Sequence, residues 1–438
     1  MKKDLFKEFI DKNKLQQVPN HNYWADYSHR IKIAPIYENP GEKYLNSLTV
    51  FPEKPWKIGY TIDTEDINFA LERAKKCISL GVNLLTFKLN TEKDLEYIKH
   101  KKFLNKTNVC YVFKKNNITN QKNNKKNLLC YDVLNHLMKT GNWIKSKKKD
   151  LDFWKNNITN NNQTIFIDAR TYQNSGANII DELSFTLNHL NEYLNLLQSD
   201  LTKKKHYKVI INISIGNNYF FEIAKLQVLR ILFFTISKKY KLNLSPVIIS
   251  EPSKRYMTIF DYNNNMIRTI SACMSSILGG SDIINNIPYD QTFNQPNDFS
   301  DRIAINQLQL LKNESHFDKI QNSIQGSYYI ENLIQKFTSA SLNKFKKIEK
   351  KGGLIKCLKN NFIQNLIFNN ANKEKYLFHE NKKILVGINK YKDDSQKNPI
   401  SYKKTQIKSI KTFIDPIVES RLSNSLEKIR IKNDEKKY

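Results

Sequence analysis

Short apolar runs alternate with longer stretches whose apolar residues recur every three or four positions. The short runs begin near Trp56, Asn83, Asn108, Leu128, Thr164, Lys208, Pro246 and Asp282, and each reads as a strand. Helical patterns follow most of them, over 65–80, 91–101, 132–142, 176–198, 219–239 and 264–278. Strict alternation predicts a parallel sheet of an α/β protein, and eight repeats predict closure into a (β/α) eight-stranded barrel of the TIM type. A doubly wound open sheet is the alternative. No GxGxxG follows the first strand, which argues against its dinucleotide-binding version.

One stretch places chemistry on this pattern. Thr164-Ile165-Phe166-Ile167-Asp168 is a short strand, and Ile180, Leu183, Leu187, Leu190, Leu194 and Leu197 form one apolar helical stripe. The polar turn between them, 168–176, lies at the C-terminal end of a strand, where such barrels keep their active sites. After the eighth strand, 299–313 and 328–351 read as helices, with Gly352-Gly353 as a C-cap. The segment 392–404 is polar, without periodicity, and reads as a loop or linker. The expected division is an N-terminal extension over 1–50, the barrel over 51–360 and a C-terminal helical and linker segment over 361–438. Leu5, Phe6, Phe9 and Ile10 suit a short amphipathic helix that docks on its own domain or on a partner.

Composition narrows the classes. No apolar run approaches the roughly 18 residues that span a bilayer. The basic N-terminus lacks the apolar core of a secretory signal. Five scattered cysteines (Cys77, Cys110, Cys130, Cys273, Cys357) with no CxxC fit reduced thiols in a cytoplasmic setting, not a disulfide or zinc framework. The formal charge of +29 invites a nucleic-acid reading. Lysine, asparagine and isoleucine dominate together, however, as in a base-biased genome. The basic run 114–127 also lacks the interleaved aromatics of a nucleic-acid platform and reads as a solvated loop.

The turn RTYQNSGANI and its helix resemble the S-G-Y-H-M-Q-E-A-G-A segment of the methylmalonyl-CoA mutases. Pro55-Trp56-Lys57-Ile58 resembles R-P-W-T-I, and the segment FFEIAKLQVLRILF resembles F-F-x-E-I-A-K-L-R-A-A-R. The stretch 262–280 resembles Y-N-N-V-V-R-T ending in L-G-G. Glu314-Ser315-His316 with Gly326-Ser327-Tyr328-Tyr329-Ile330-Glu331 resembles E-E-S followed by G-G-S-Y-x-V-E. Val386-Gly387-Ile388-Asn389-Lys390-Tyr391 resembles I-V-G-V-N-K-Y.

The resemblance also defines departures. The positions of the active members' tyrosine and histidine fall on Thr61 and Thr171. Arginines expected to hold the acyl-CoA fall on Lys54 and Gly59, and a glutamine falls on Cys130, while Asp132 and Gln173 are kept. The H-T-Q-T-A-G string falls on Ile249-Ser250-Glu251-Pro252-Ser253-Lys254. D-x-H-x-x-G, the source of the histidine below cobalt, occurs nowhere. The resemblance therefore implies the small, beta-type subunit of a heterodimeric mutase interconverting succinyl-CoA and (R)-methylmalonyl-CoA. Its role would be structural, without catalytic, cofactor-binding or metal residues, and without a cobalamin-binding domain. Adenosylcobalamin would be held by the large catalytic partner, and no nucleic acid or membrane is expected as a partner. The alternatives are an acyl-CoA-binding mutase subunit working with a separate cobalamin protein, and a basic nucleic-acid-binding barrel.

Gln173 is the one substrate-binding candidate, against a filled and inactive barrel mouth. Asp168 and Arg170 are expected to pair structurally. His316 reads as a surface or helix-end residue rather than a metal ligand, Cys130 as a buried inert thiol, and Tyr328 and Tyr329 as core or interface packing.

Overall fold

The computed structural model describes residues 24–26, 31–33, 37, 51–52, 55–113, 127–159, 163–198, 206–240, 242–393, 395–396 and 412–435. Leu5, Phe6, Phe9 and Ile10, the basic run 114–126 and most of the 392–404 loop lie outside them. Eight strands form one parallel sheet: β1 (Lys57–Asp63), β2 (Leu84–Leu89), β3 (Asn108–Phe113), β4 (Asn127–Cys130), β5 (Thr164–Asp168), β6 (His206–Ile215), β7 (Asn243–Pro252) and β8 (Ile283–Asn285). Their order is β4-β3-β2-β1-β8-β7-β6-β5, so the pairing of β8 with β1 closes the sheet on itself. Among the described residues no backbone ladder joins β4 to β5, and this is the seam of a nearly closed (β/α) barrel. Trp24–Asp26 and Ile31–Ile33 form a separate antiparallel pair.

Period-two alternation sorts the strand residues into two cores. Outward-facing Ile58, Tyr60, Ile62, Leu85, Phe87, Ile165, Ile167, Val209, Ile211 and Ile248 join the helices in one large cluster. Inward-facing Leu84, Cys110, Cys130, Phe166, Ile210 and Ile249 pack on one another and fill the bore.

The helices are α1 (Ile67–Ser79), α2 (Glu92–Lys99), α3 (Val133–Thr140), α4 (Lys147–Asn157), α5 (Arg170–Asn174), α6 (Ile179–Leu197), α7 (Tyr219–Tyr240), α8 (Asn264–Leu278), α9 (Asp298–Gln309), α10 (Tyr328–Lys350), α11 (Gly353–Lys359), α12 (Phe362–His379) and α13 (Asn424–Glu435). Gly352 and Gly353 both take positive φ between α10 and α11, as the sequence requires. Two helices depart from expectation. The helix expected over 176–198 is present as α6 from Ile179, and the polar turn before it holds an additional single helical turn, α5, set apart by Gly176 at φ +108. The stripe on α6 is also not its only buried face. Asp181, Glu182, Ser184, Thr186, Asn188 and His189 are buried as well, because α10 packs across the outer side. Ser184 Oγ donates to Ser341 O at 3.0 Å, and Asn188 Nδ2 to Glu349 Oε1 at 2.5 Å.

The described C-terminal elements lie against the barrel. Arg255 Nε donates to Glu374 Oε2 on α12 at 2.6 Å, and Ile259 N donates to Glu427 Oε1 on α13 at 2.8 Å. Phe260, Phe378, Leu385, Ile388 and Leu422 form a third apolar cluster there. Among the described residues no helix is long and apolar enough to cross a membrane.

Candidate functional site

Parallel strands deliver their C-terminal residues to one end, so Lys88, Asp132, Asp168, Asn212, Glu251 and Asn285 gather around the barrel mouth. Asp132 begins at the seam. Its Oδ2 accepts the backbone N–H of Asp168 at 2.7 Å, spanning the gap between β4 and β5. Its Oδ1 caps α3 through Asn135 N at 2.9 Å, accepts Tyr193 Oη–H at 2.7 Å and meets His189 Nε2 at 2.9 Å. One carboxylate thus replaces the missing ladder.

Arg170 occupies the centre of the mouth. Its Nε and Nη2 donate to the two oxygens of Asp168 at 2.7 and 2.8 Å, and Nη1 donates to Glu251 Oε2 at 2.8 Å. Burial works against the Asp168 and Glu251 carboxylates, but the Arg170 guanidinium outweighs it and holds both below the usual carboxylate range. The expected Asp168–Arg170 pair is present. Its third member, Glu251, escaped the sequence reading because it comes 81 residues later. The signal was there: a lone acid where the seventh strand ends.

The positions marked by the resemblance are occupied. Thr171 is fully buried, and its hydroxyl donates to Asn135 Oδ1 at 2.7 Å. Gln173 Nε2 donates to Glu222 Oε1 at 3.0 Å, while its Oε1 has no partner. Tyr172 is buried with its hydroxyl 3.3 Å from His189 Nδ1. A Cβ at Gly59 would fall on Asn285 Oδ1, so Asn285 fills the space of any longer side chain there. Asn285 Nδ2 also donates to Thr61 Oγ1 at 3.3 Å. Gly176 is overlaid by α12: a Cβ there would stand 2.6 Å from Ala371 Cβ, and its φ is positive. Only glycine suits this turn.

Behind Gln173 lies a buried charge network. Lys225 Nζ meets Glu182 Oε2 at 2.9 Å and Glu222 Oε2 at 2.5 Å, and donates to Ser214 O at 2.6 Å. Burial works against the Lys225 ammonium, but the two glutamates outweigh it and keep its pKa above the usual value. One lysine does not satisfy two buried carboxylates. Burial, with Glu222 adding to it, pushes Glu182 up to about 7 against the pull of Lys225.

Other candidates behave as packing. Cys130 is buried in the bore with its Sγ 2.8 Å from that of Cys110, and burial raises its pKa, as an inert thiol requires. His316 is exposed at φ +54, and among the described residues no group of three or more histidine, cysteine, aspartate or glutamate side chains is placed to hold a metal. Tyr329 packs on Tyr37 and Phe220, whereas Tyr328 is 43% exposed.

Residues 108–438 match the family model described as methylmalonyl-CoA mutase. The chain belongs to the methylmalonyl-CoA mutase family. Among mutases of this family it is 30% identical over 276 residues to the small subunit of Porphyromonas gingivalis, covering 60% of this chain and 44% of that protein. The methylmalonyl-CoA mutase of Rhizobium meliloti is 26% identical, with 61% of this chain and 38% of the relative covered. The small subunit of Streptomyces virginiae is 28% identical, with 46% and 33% covered. Each match spans less than half the length of the mutase compared.

Proposed function

We propose that this chain is the small, non-catalytic subunit of a heterodimeric methylmalonyl-CoA mutase, contributing an interface and stability while the larger partner carries the chemistry. The observation that carries this reading is the filled mouth. Arg170 is locked between Asp168 and Glu251, and Asn285 occupies the space beside Gly59 and Thr61. A mutase acting on acyl-CoA needs an open bore for the thioester arm, and a chain freed from that need fills its bore with side chains. The names of the two small-subunit relatives support the same assignment.

Adenosylcobalamin does not suit the residues present. Thr171 points its hydroxyl into protein and α12 covers the neighbouring turn at Gly176. The cofactor, which supplies radical chemistry in this reading, is therefore assigned to the partner. The segment 1–50 is the proposed partner-wrapping region, and the cytoplasm the proposed location. Equilibrium dialysis of the chain alone is expected to retain no adenosylcobalamin, and calorimetry to detect no micromolar binding of succinyl-CoA. Stoichiometric cobalamin retention, or micromolar succinyl-CoA affinity, would overturn the assignment.

A further inference from the structure

The inward positions of β2 run Leu84, Thr86, Lys88, and the register sets Lys88 level with Asp63 of β1 and Val112 of β3. The strand thus delivers an amine to the mouth. The sequence reading passed over it, although the alternation in LLTFKL marks the position.

Its surroundings set it apart. Arg170 is held by Asp168 and Glu251, Lys139 pairs with Glu419 at 3.2 Å, and Lys225 is held by Glu182 and Glu222. Among the described residues Lys88 Nζ has no ion pair or hydrogen bond, and neither has Lys254 Nζ just beyond the end of β7. Both residues are partly exposed. The charged groups around Lys88 are Asp63 beside it on β1, Lys139 from α3, Asp168 and Arg170 from the end of β5, and Glu251 and Lys254 from the end of β7. Asp168 and Glu251 are already engaged by Arg170 and Lys139 by Glu419, which leaves Lys254 as the cation near Lys88 that no ion pair among the described residues holds. Burial, then the charges of Lys254, Arg170 and Lys139, lower its pKa to about 7, against the pull of Glu251. A large fraction of this amine is therefore unprotonated near neutrality, whereas ordinary surface lysines are almost wholly protonated.

We propose that Lys88 captures small carbonyl compounds bearing a carboxylate, such as 2-oxo acids, as an imine, with Lys254 receiving the carboxylate. The nitrogen lone pair of Lys88 attacks the carbonyl carbon, and the carbonyl π pair moves to oxygen, which takes up a proton. Nitrogen loses one proton to give the neutral carbinolamine, a second proton from solvent lets the oxygen leave as water, and loss of the remaining N–H proton leaves the neutral C=N bond. No oxidant or reductant takes part. The inference stands apart from the subunit assignment, because it concerns the isolated chain.

The test is reductive trapping of the full chain with glyoxylate and cyanoborohydride at pH 7, followed by peptide mapping. Lys88 is expected to be labelled at least about tenfold faster than the other lysines, from its larger neutral fraction. K254M is expected to slow labelling by both aldehydes, because the Lys254 charge helps keep Lys88 neutral, and to slow glyoxylate several-fold more than propanal, which loss of that charge effect alone would not produce. Label spread evenly over the lysines of the wild-type chain, or absent from Lys88, would overturn the proposal. Slowing of both aldehydes by the same factor in K254M would overturn the carboxylate contact and leave only the charge effect of Lys254 on the amine.

Discussion

Replacing Asp132 with alanine is expected to destabilise the fold by about 4 kcal/mol, a large share of the stability of a typical domain. The side chain accepts from four groups on three elements, and alanine leaves all four without that acceptor. Loss of the α3 cap alone costs about 1 kcal/mol. The buried Asp168 amide and Tyr193 hydroxyl add about 1–3 kcal/mol each when left unpaired. Asparagine keeps one acceptor oxygen and is expected to lose about half as much. Urea unfolding followed by Trp154 fluorescence measures it, because Trp154 stacks on Tyr193 with ring centroids 4.0 Å apart. A loss under about 1 kcal/mol would mean that the β4–β5 seam is held by something other than this carboxylate.

Lys225→Met is expected to have a similar effect, about 3–5 kcal/mol near neutral pH, because it strands Glu182 and Glu222 in the interior without their cation. Its pH dependence gives a second check. Glu182 already binds its proton more tightly in the folded chain, at about 7, than its usual value of 4.5. A group of this kind favours the fold fully below about 4.5, and that contribution is lost as the pH rises through about 7. Removing Lys225 takes away the one charge that restrains this rise. The variant should therefore lie closest to wild type in mild acid and fall away as the pH rises, and Glu182→Gln placed on it should restore part of the loss. A variant whose deficit is the same at pH 5 and pH 8 would contradict the buried network.

The barrel was legible because its signal is periodic and local. Each strand start lies within a few residues of its expected position, since an apolar run cannot stay in solvent and its alternation fixes which face turns inward. Helix α4 was missed because KKKDLDFWKNN shows only Leu151, Phe153 and Trp154 against lysine and asparagine. What makes it a helix is long-range: Trp154 is fully buried against Tyr193 of α6, with Ser146 accepting from Lys149 N at the cap. The all-round burial of α6 was hidden for the same reason, since α10 arrives far later in the chain. At the mouth, Asp168 and Arg170 could be paired by eye because they are two residues apart. Glu251, and the Glu182–Lys225 pair 43 residues apart, needed the closure of the barrel to meet. The filling of the space at Gly59 by Asn285 is likewise a property of the β1–β8 pairing, which no local pattern contains.

The central claim is that this chain supports a mutase without performing its chemistry, and co-expression with a long methylmalonyl-CoA mutase subunit carrying D-x-H-x-x-G tests it most directly. Size-exclusion chromatography is expected to give a one-to-one complex, and mutase activity with adenosylcobalamin is expected in the complex and not in this chain alone. Obligate interfaces bury about 2,000 Å² or more, and a partner that binds only the folded form stabilises it by mass action, so on this account the isolated chain should melt at a lower temperature than the complex. Separate elution at micromolar concentration, with the long subunit equally stable and active by itself, would contradict the account.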